Sequence, residues 1–376
     1  MKKVLTLGAT LLLAGTLAHA DVIKIGMSND QTGPNKAAGR GIKVGVDAYL
    51  KSVNDRGGVN GNTFQLVNGD DQYVPDKTVD VLLKIIEEQK PVAFIGTVGT
   101  SNGVAAIPLA KEYKIPFVAP RSGAADFRKP VTREVINIRA SHQDEVDKVV
   151  DKFVAEKGFK RFAVFYQNDT FGKDVLNCME QALKRNNLTL VSKGSYERGT
   201  TAVKSALTAI MAGNPEVVFI GAVSAPGGAF MQEARKEGLK AVFATGSFGG
   251  GGSLIKVAGD AVAEGVVMSQ VIPHLDDVSL AITKECKEAI TKYPEDIGFN
   301  IISFEGCVSA KALVAAIEKA GKPVQPDAVI KAFEEMKGYD LGGIKLTFSP
   351  DNHQGQSEVW LSIVKGGKIV PLASLK

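Results

Sequence analysis

Thr100, Ser101 and Asn102 lie just beyond the apolar run Ala93-Phe94-Ile95, in the stretch AFIGTVGTSNGV. They bring hydroxyls, an amide and bare glycine backbone to the carboxyl end of a core strand. The segment Val104 to Tyr113 that follows reads as a helix. The first-turn N–H groups of such a helix lack intrahelical partners and carry partial positive charge, so the place can hold an anion. Read alone, the stretch also suits a helix N-cap, the commoner use of Ser and Asn. The same kind of strand ending recurs at Ala119–Ala124 (APRSGA), Tyr166–Gly172 (YQNDTFG), Gly221–Gly228 (GAVSAPGG) and Thr245–Gly250 (TGSFGG). Together these endings describe two facing walls of a polar, uncharged, aromatic-edged cleft suited to a small organic molecule.

Bond-making chemistry finds little support. The chain has no HExxH and no GK[ST] phosphate loop. His142, His274 and His353 each fall in a polar loop or helix start, where an exposed histidine is expected. Cys178, Cys286 and Cys307 lack metal-ligand spacing, and the glycine cluster Gly246–Ser253 lacks the helix and acid of a dinucleotide site. No catalytic residue, metal or cofactor is therefore expected, and the chain reads as a binding protein.

The elements that position these residues alternate: short apolar strands, then amphipathic helices, repeated in two tandem units. That pattern predicts an α/β fold with parallel sheets covered on both faces. The first twenty residues carry Lys2 and Lys3, an apolar run and an Ala18-His19-Ala20 box, the pattern of a cleaved secretory signal peptide. No later run of about 18 apolar residues follows, so a soluble, exported, periplasmic protein is expected. With 45 basic against 41 acidic residues in 376 and no basic run interleaved with aromatics, no nucleic-acid or membrane-surface partner is implied. The late elements, which include a strand over Gly342–Ser349 and a terminal hairpin turning at Gly366-Gly367, are too few for a third domain and complete the first two, with crossings near Arg139, Gln270 and Phe348. The expected division is 1–20 as signal peptide, 21–139 plus 271–347 as one lobe, and 140–270 plus 348–376 as the other. Export permits one disulfide, with Cys286 and Cys307 on neighbouring late helices as the favoured pair; three buried free thiols are the alternative.

The order IKIGMSNDQTGP, VNDRGGVNG, DDQYVPDKT, IGTVGTSN, VAPRSGAADFR, INIRASHQDE, FYQNDTFG, GLKAVFATGSF and GVVMSQVIP resembles the periplasmic substrate-binding proteins of branched-chain amino acid ABC importers. The resemblance implies two Rossmann-like lobes joined by three hinge crossings, a monomer, and an inner-membrane ABC permease as partner. Carried across residue by residue, it places ligand contacts at Thr100, with Ser101 and Asn102 beside it, and at Arg121 and Gly123, with Ser122 between them. In the second lobe it places them at Phe171, Ser224 and Ser247.

At Ser247 the family pattern has an acid that pairs with an amino acid's ammonium. An ammonium closed into a dry cleft without a counter-charge is strongly disfavoured. Asp71, Asp169 and Glu305 are the other acids near strand or hinge ends. Arg121, if turned inward, suits a ligand carboxylate bidentately. Phe171, Phe248 and Tyr73 offer flat apolar walls. The expected function is capture of a small carboxylated organic molecule for an importer. A sensor that presents its closed shape to a receptor or kinase is the alternative.

Overall fold

The computed structural model describes residues 21–376; the expected signal peptide at residues 1–20 lies outside the described residues. The chain opens with β1 (Val22–Asn29), α1 (Lys36–Asp55), β2 (Thr63–Asp70), α2 (Pro75–Gln89), β3 (Ala93–Ile95), α3 (Thr100–Tyr113), β4 (Phe117–Val118) and β5 (Val135–Ile136). Their strands form one parallel sheet in the order β2-β1-β3-β4-β5. Val, Ile and Phe fill the central strands because both faces are covered. Leu82, Ile86, Leu109 and Phe127 close one face.

The second unit runs through α4 (His142–Lys157), β6 (Phe162–Gln167), α5 (Thr170–Arg185), β7 (Leu190–Tyr196), α6 (Lys204–Ala212), β8 (Val217–Gly221), α7 (Ser224–Lys236), β9 (Val242–Thr245), α8 (Gly252–Ala258), α9 (Asp260–Ala263) and β10 (Val267–Gln270). The chain then returns to the first lobe as α10 (Ala281–Lys292), α11 (Ile301–Ala320), α12 (Pro326–Glu334), β11 (Tyr339–Asp340) and β12 (Lys345–Leu346). It ends in the second lobe with β13 (Trp360–Lys365) and β14 (Lys368–Pro371). The second sheet has the order β14-β13-β10-β9-β8-β6-β7. Its β13 and β14 are antiparallel, joined by the Gly366-Gly367 turn expected from sequence, with φ of 55° and 72°.

Helix α11 completes the first core. It is buried along nearly its whole length and lies so close to α1 that a Cβ at Gly45 would sit 1.9 Å from the Ser303 carbonyl. Cys286 of α10 and Cys307 of α11 form a disulfide with Cα atoms 5.8 Å apart, while Cys178 is a buried free thiol. Among the described residues no helix is long and apolar enough to cross a membrane.

The chain passes between lobes three times. The first two crossings follow β5 and β10, close to Arg139 and Gln270. The third comes later than Phe348. That ring is fully buried in the first core against Phe333, and the Asn137 and Gly355 N–H groups bond back to His353 and Asn137. The chain therefore stays on the first lobe to Gly355. The strand expected over Gly342–Ser349 shortens to Lys345–Leu346, because Asp340 accepts the Gly342 and Gly343 N–H groups in a turn.

Candidate functional site

Strand β3 ends at Ile95, and α3 begins five residues later behind Gly99, whose φ of 101° favours glycine. Gly99 is the N-cap, without a side-chain cap, so Thr100 stands inside the first turn and is not the cap. The N–H groups of Thr100, Ser101 and Asn102 have no protein partner among the described residues. The Thr100 hydroxyl is 2.8 Å from that of Ser122, which also accepts the Ala124 N–H at 3.2 Å.

Thr100 faces a cavity between the lobes, lined by Asn35, Tyr73, Gly99, Thr100 and Arg121 on one side and by His142, Phe171, Val223 and Phe248 on the other. His142, Phe171 and Phe248 meet edge to face, with ring centroids 5.0 to 5.7 Å apart. The wall is thus aromatic, while the polar atoms gather at the α3 N-terminus and at Arg121. No carboxylate lines the cavity.

Arg121 is only 7% exposed. Its Nε donates to Glu305 at 3.1 Å and its Nη2 to the Ser247 carbonyl at 3.2 Å. Nη1 makes no hydrogen bond among the described residues, so the bidentate grip expected of Arg121 is reduced to one nitrogen. Burial, and then the like charge of Arg139, lower its pKa against the pull of Glu305.

Ser247 is drawn out of the site. Its N–H and hydroxyl donate to Glu145 at 2.7 and 2.9 Å, and Arg139 donates to the same hydroxyl. Arg139 also bonds Glu145 and Glu305 at 2.8 Å each. Arg121, Glu305, Arg139 and Glu145 therefore form a charge-balanced chain across the hinge. Burial pushes the Glu145 pKa up, but the Arg139 charge, then His142 and the Ser247 and Ser269 donors, bring it below the usual carboxylate range.

The other acids considered are also committed. Asp71 accepts from Ser28, Thr78 and the Tyr73 N–H at 2.9 to 3.0 Å, and burial raises its pKa. Asp169 caps α5 through the Gly172 N–H and pairs with Arg198. Glu305 holds the two arginines.

Of the residues expected at a site, Tyr73, Thr100, Arg121, Phe171 and Phe248 line the cavity, and Ser122 supports Thr100. Gly123 uses its N–H on His142 Nε2 at 3.0 Å. The Ser101 and Asn102 side chains turn to Asp169 and Arg198 at the lobe boundary, and Ser224 bonds the Gly249 carbonyl. His142 and His353, expected to be exposed, are 1% and 3% exposed. His142 is held between Gly123 and the Asp174 carboxylate, 2.7 Å from Nδ1; His353 is held by the Val135 carbonyl and Glu334. Asn35, His142 and Val223 had no signal as lining residues, because local sequence does not show which side chains the fold turns toward the cleft.

A family model described as periplasmic binding protein matches residues 22–368. A Leu/Ile/Val-binding protein of Rhizobium johnstonii, BraC3, is 25% identical over 374 residues, covering 97% of this chain and 98% of its own. The structure of a possible leucine/isoleucine/valine-binding protein from Rhodopirellula baltica superposes with a TM-score of 0.90 at 29% identity, over 96% of this chain and 98% of that one. A branched-chain amino acid ABC transporter structure from Thermus thermophilus, with bound valine, shares the fold with a TM-score of 0.85 at 24% identity, covering 94% and 96%. An α/β fold with largely parallel sheets in two lobes agrees with these likenesses, and the chain belongs to the periplasmic binding protein family, with the type I fold.

Proposed function

We propose that the chain captures a small organic carboxylate between its lobes and delivers it, as a monomer, to an inner-membrane ABC permease. Family membership implies a periplasmic location, and residues 1–20 would be the leader removed on export. The lobes that close would be 21–139 with 271–355 and 140–270 with 356–376. A ligand touching both favours the closed state by its differential affinity.

The observation that carries this reading is the composition of the cavity: the unpartnered Thr100 N–H, its hydroxyl supported by Ser122, and one guanidinium nitrogen of Arg121, with aromatic walls and no acid. A carboxylate at Thr100 finds donors. An α-ammonium finds no counter-charge, because Ser247 replaces the acid and Glu145 beside it is saturated by Arg139, Ser247 and Ser269. The valine held by the Thermus relative carries such an ammonium. The pocket here therefore favours an aromatic or branched acid without one.

Calorimetric titration of ligand-stripped protein tests this. Phenylacetate or 4-methyl-2-oxopentanoate should bind at least tenfold more tightly than leucine, isoleucine or valine. Sub-micromolar leucine binding with both analogues silent would overturn the ligand class.

A further inference from the structure

Arg198 follows β7 in the second lobe, outside the cavity lining, yet most of its bonds reach the first lobe. Its Nη2 and Nε donate to the Tyr73 carbonyl at 2.6 and 3.2 Å, and Nη2 donates to Asn102 Oδ1 at 2.5 Å. Its guanidinium carbon lies 3.6 Å from the centroid of the Tyr73 ring, within cation–π range. Within its own lobe, Nη1 bonds Asp169 at 2.5 Å.

Both halves of this junction are built in advance. Asp169 is fixed by the Gly172 N–H and by Gln167 Nε2, and it accepts the Ser101 hydroxyl across the boundary at 3.1 Å. On the first lobe, Asp71 holds the Tyr73 N–H and Thr78, and Thr78 in turn accepts from Asn102. Gln72 and Tyr73 are consecutive non-glycine residues with φ of 52° and 63°. Such backbone is disfavoured and persists where its surroundings hold it. The Tyr73 ring is wedged against Gly99, where a Cβ would come within 2.5 Å of it.

We infer that Arg198, carried by Asp169, is a positioning residue that latches the second lobe onto Tyr73 and Asn102 and sets how long a bound molecule stays. Any separation of the lobes breaks the Tyr73 and Asn102 bonds together. Tyr73 lines the cavity, so a ligand packed on its ring steadies the face that Arg198 grips. The Arg198 and Asp169 side chains are 20% and 13% exposed, which sets the latch at the cleft rim, within reach of water. The role in residence time rests on the ligand reading above; the role in closure does not.

The test compares wild type with Arg198→Ala and Arg198→Lys in the full chain. Stopped-flow dissociation of 4-methyl-2-oxopentanoate should be about tenfold faster in R198A, with association changed less than about twofold, since interface changes act mainly on dissociation. Lysine should restore only part of the effect, lacking the planar fork and the stack. The ligand-free R198A protein should show a larger radius of gyration by small-angle scattering and nearly the same melting temperature. Unchanged dissociation and unchanged scattering would overturn the latch. If the wild type binds neither this acid nor leucine, the ligand reading fails, and scattering of the ligand-free proteins alone decides the latch.

Discussion

Thr100 hydrogen-bonds Ser122 and leaves the capping position to Gly99, which separates its role at the cavity from a role in helix stability. Thr100→Val keeps the shape and removes one hydroxyl. Ligand affinity should fall about tenfold, while the unfolding free energy of the empty protein falls by no more than ~1 kcal/mol, the usual worth of one hydrogen bond. Calorimetry and urea unfolding read the two quantities; stability lost with affinity kept would make Thr100 structural. At this scale the sequence was legible only in part. The types at Thr100, Arg121, Phe171 and Phe248 marked a cleft. The direction of Arg121, however, depends on Glu305, 184 positions away, and the environment of His142 depends on Gly123 and Asp174. Arg121 meets Glu305 only in the folded first lobe, and Gly123 meets His142 only where the lobes touch; no local pattern encodes either pairing.

At the scale of elements, periodicity located nearly every strand and helix, and the Gly366-Gly367 pair located the final hairpin. The third crossing was misplaced for a tertiary reason: Phe348 buries against Phe333 and carries the chain past the expected exit. Helix α10 has its own tie to the fold, the Cys286–Cys307 bridge to α11, which closes a loop with a sequence separation of 21. Cross-linking a loop of that length restricts the unfolded chain by about 3 kcal/mol. Cys286→Ala with Cys307→Ala should therefore lower unfolding free energy by roughly that amount. Ligand affinity should be preserved, since neither sulfur approaches the cavity lining.

For the whole molecule, the hinge depends on Glu145 staying ionised. Its folded pKa lies below the ordinary value of 4.5, so its contribution is fully present above about that pH and is lost as pH falls through the folded value. Glu145→Gln should cost about 3 kcal/mol at pH 7, near the lower end for breaking a buried pair, because Arg139 keeps Glu305. The deficit should shrink steadily below pH 4.5, with the variant's acid limb flatter than that of wild type in urea titrations. A constant deficit across that range would mean that Glu145 acts by shape and not by charge.

The late arrival of α11 also bears on synthesis. Strands β1 to β5 leave the ribosome well over a hundred residues before Ile301–Ala320, the helix that covers Ile42, Val46 and Leu50 of α1. At roughly 5–20 residues per second the delay is on the order of ten to thirty seconds. During that interval α1 lacks the helix that covers its apolar face. An incompletely folded chain of that kind would suit the export that the family's periplasmic location implies.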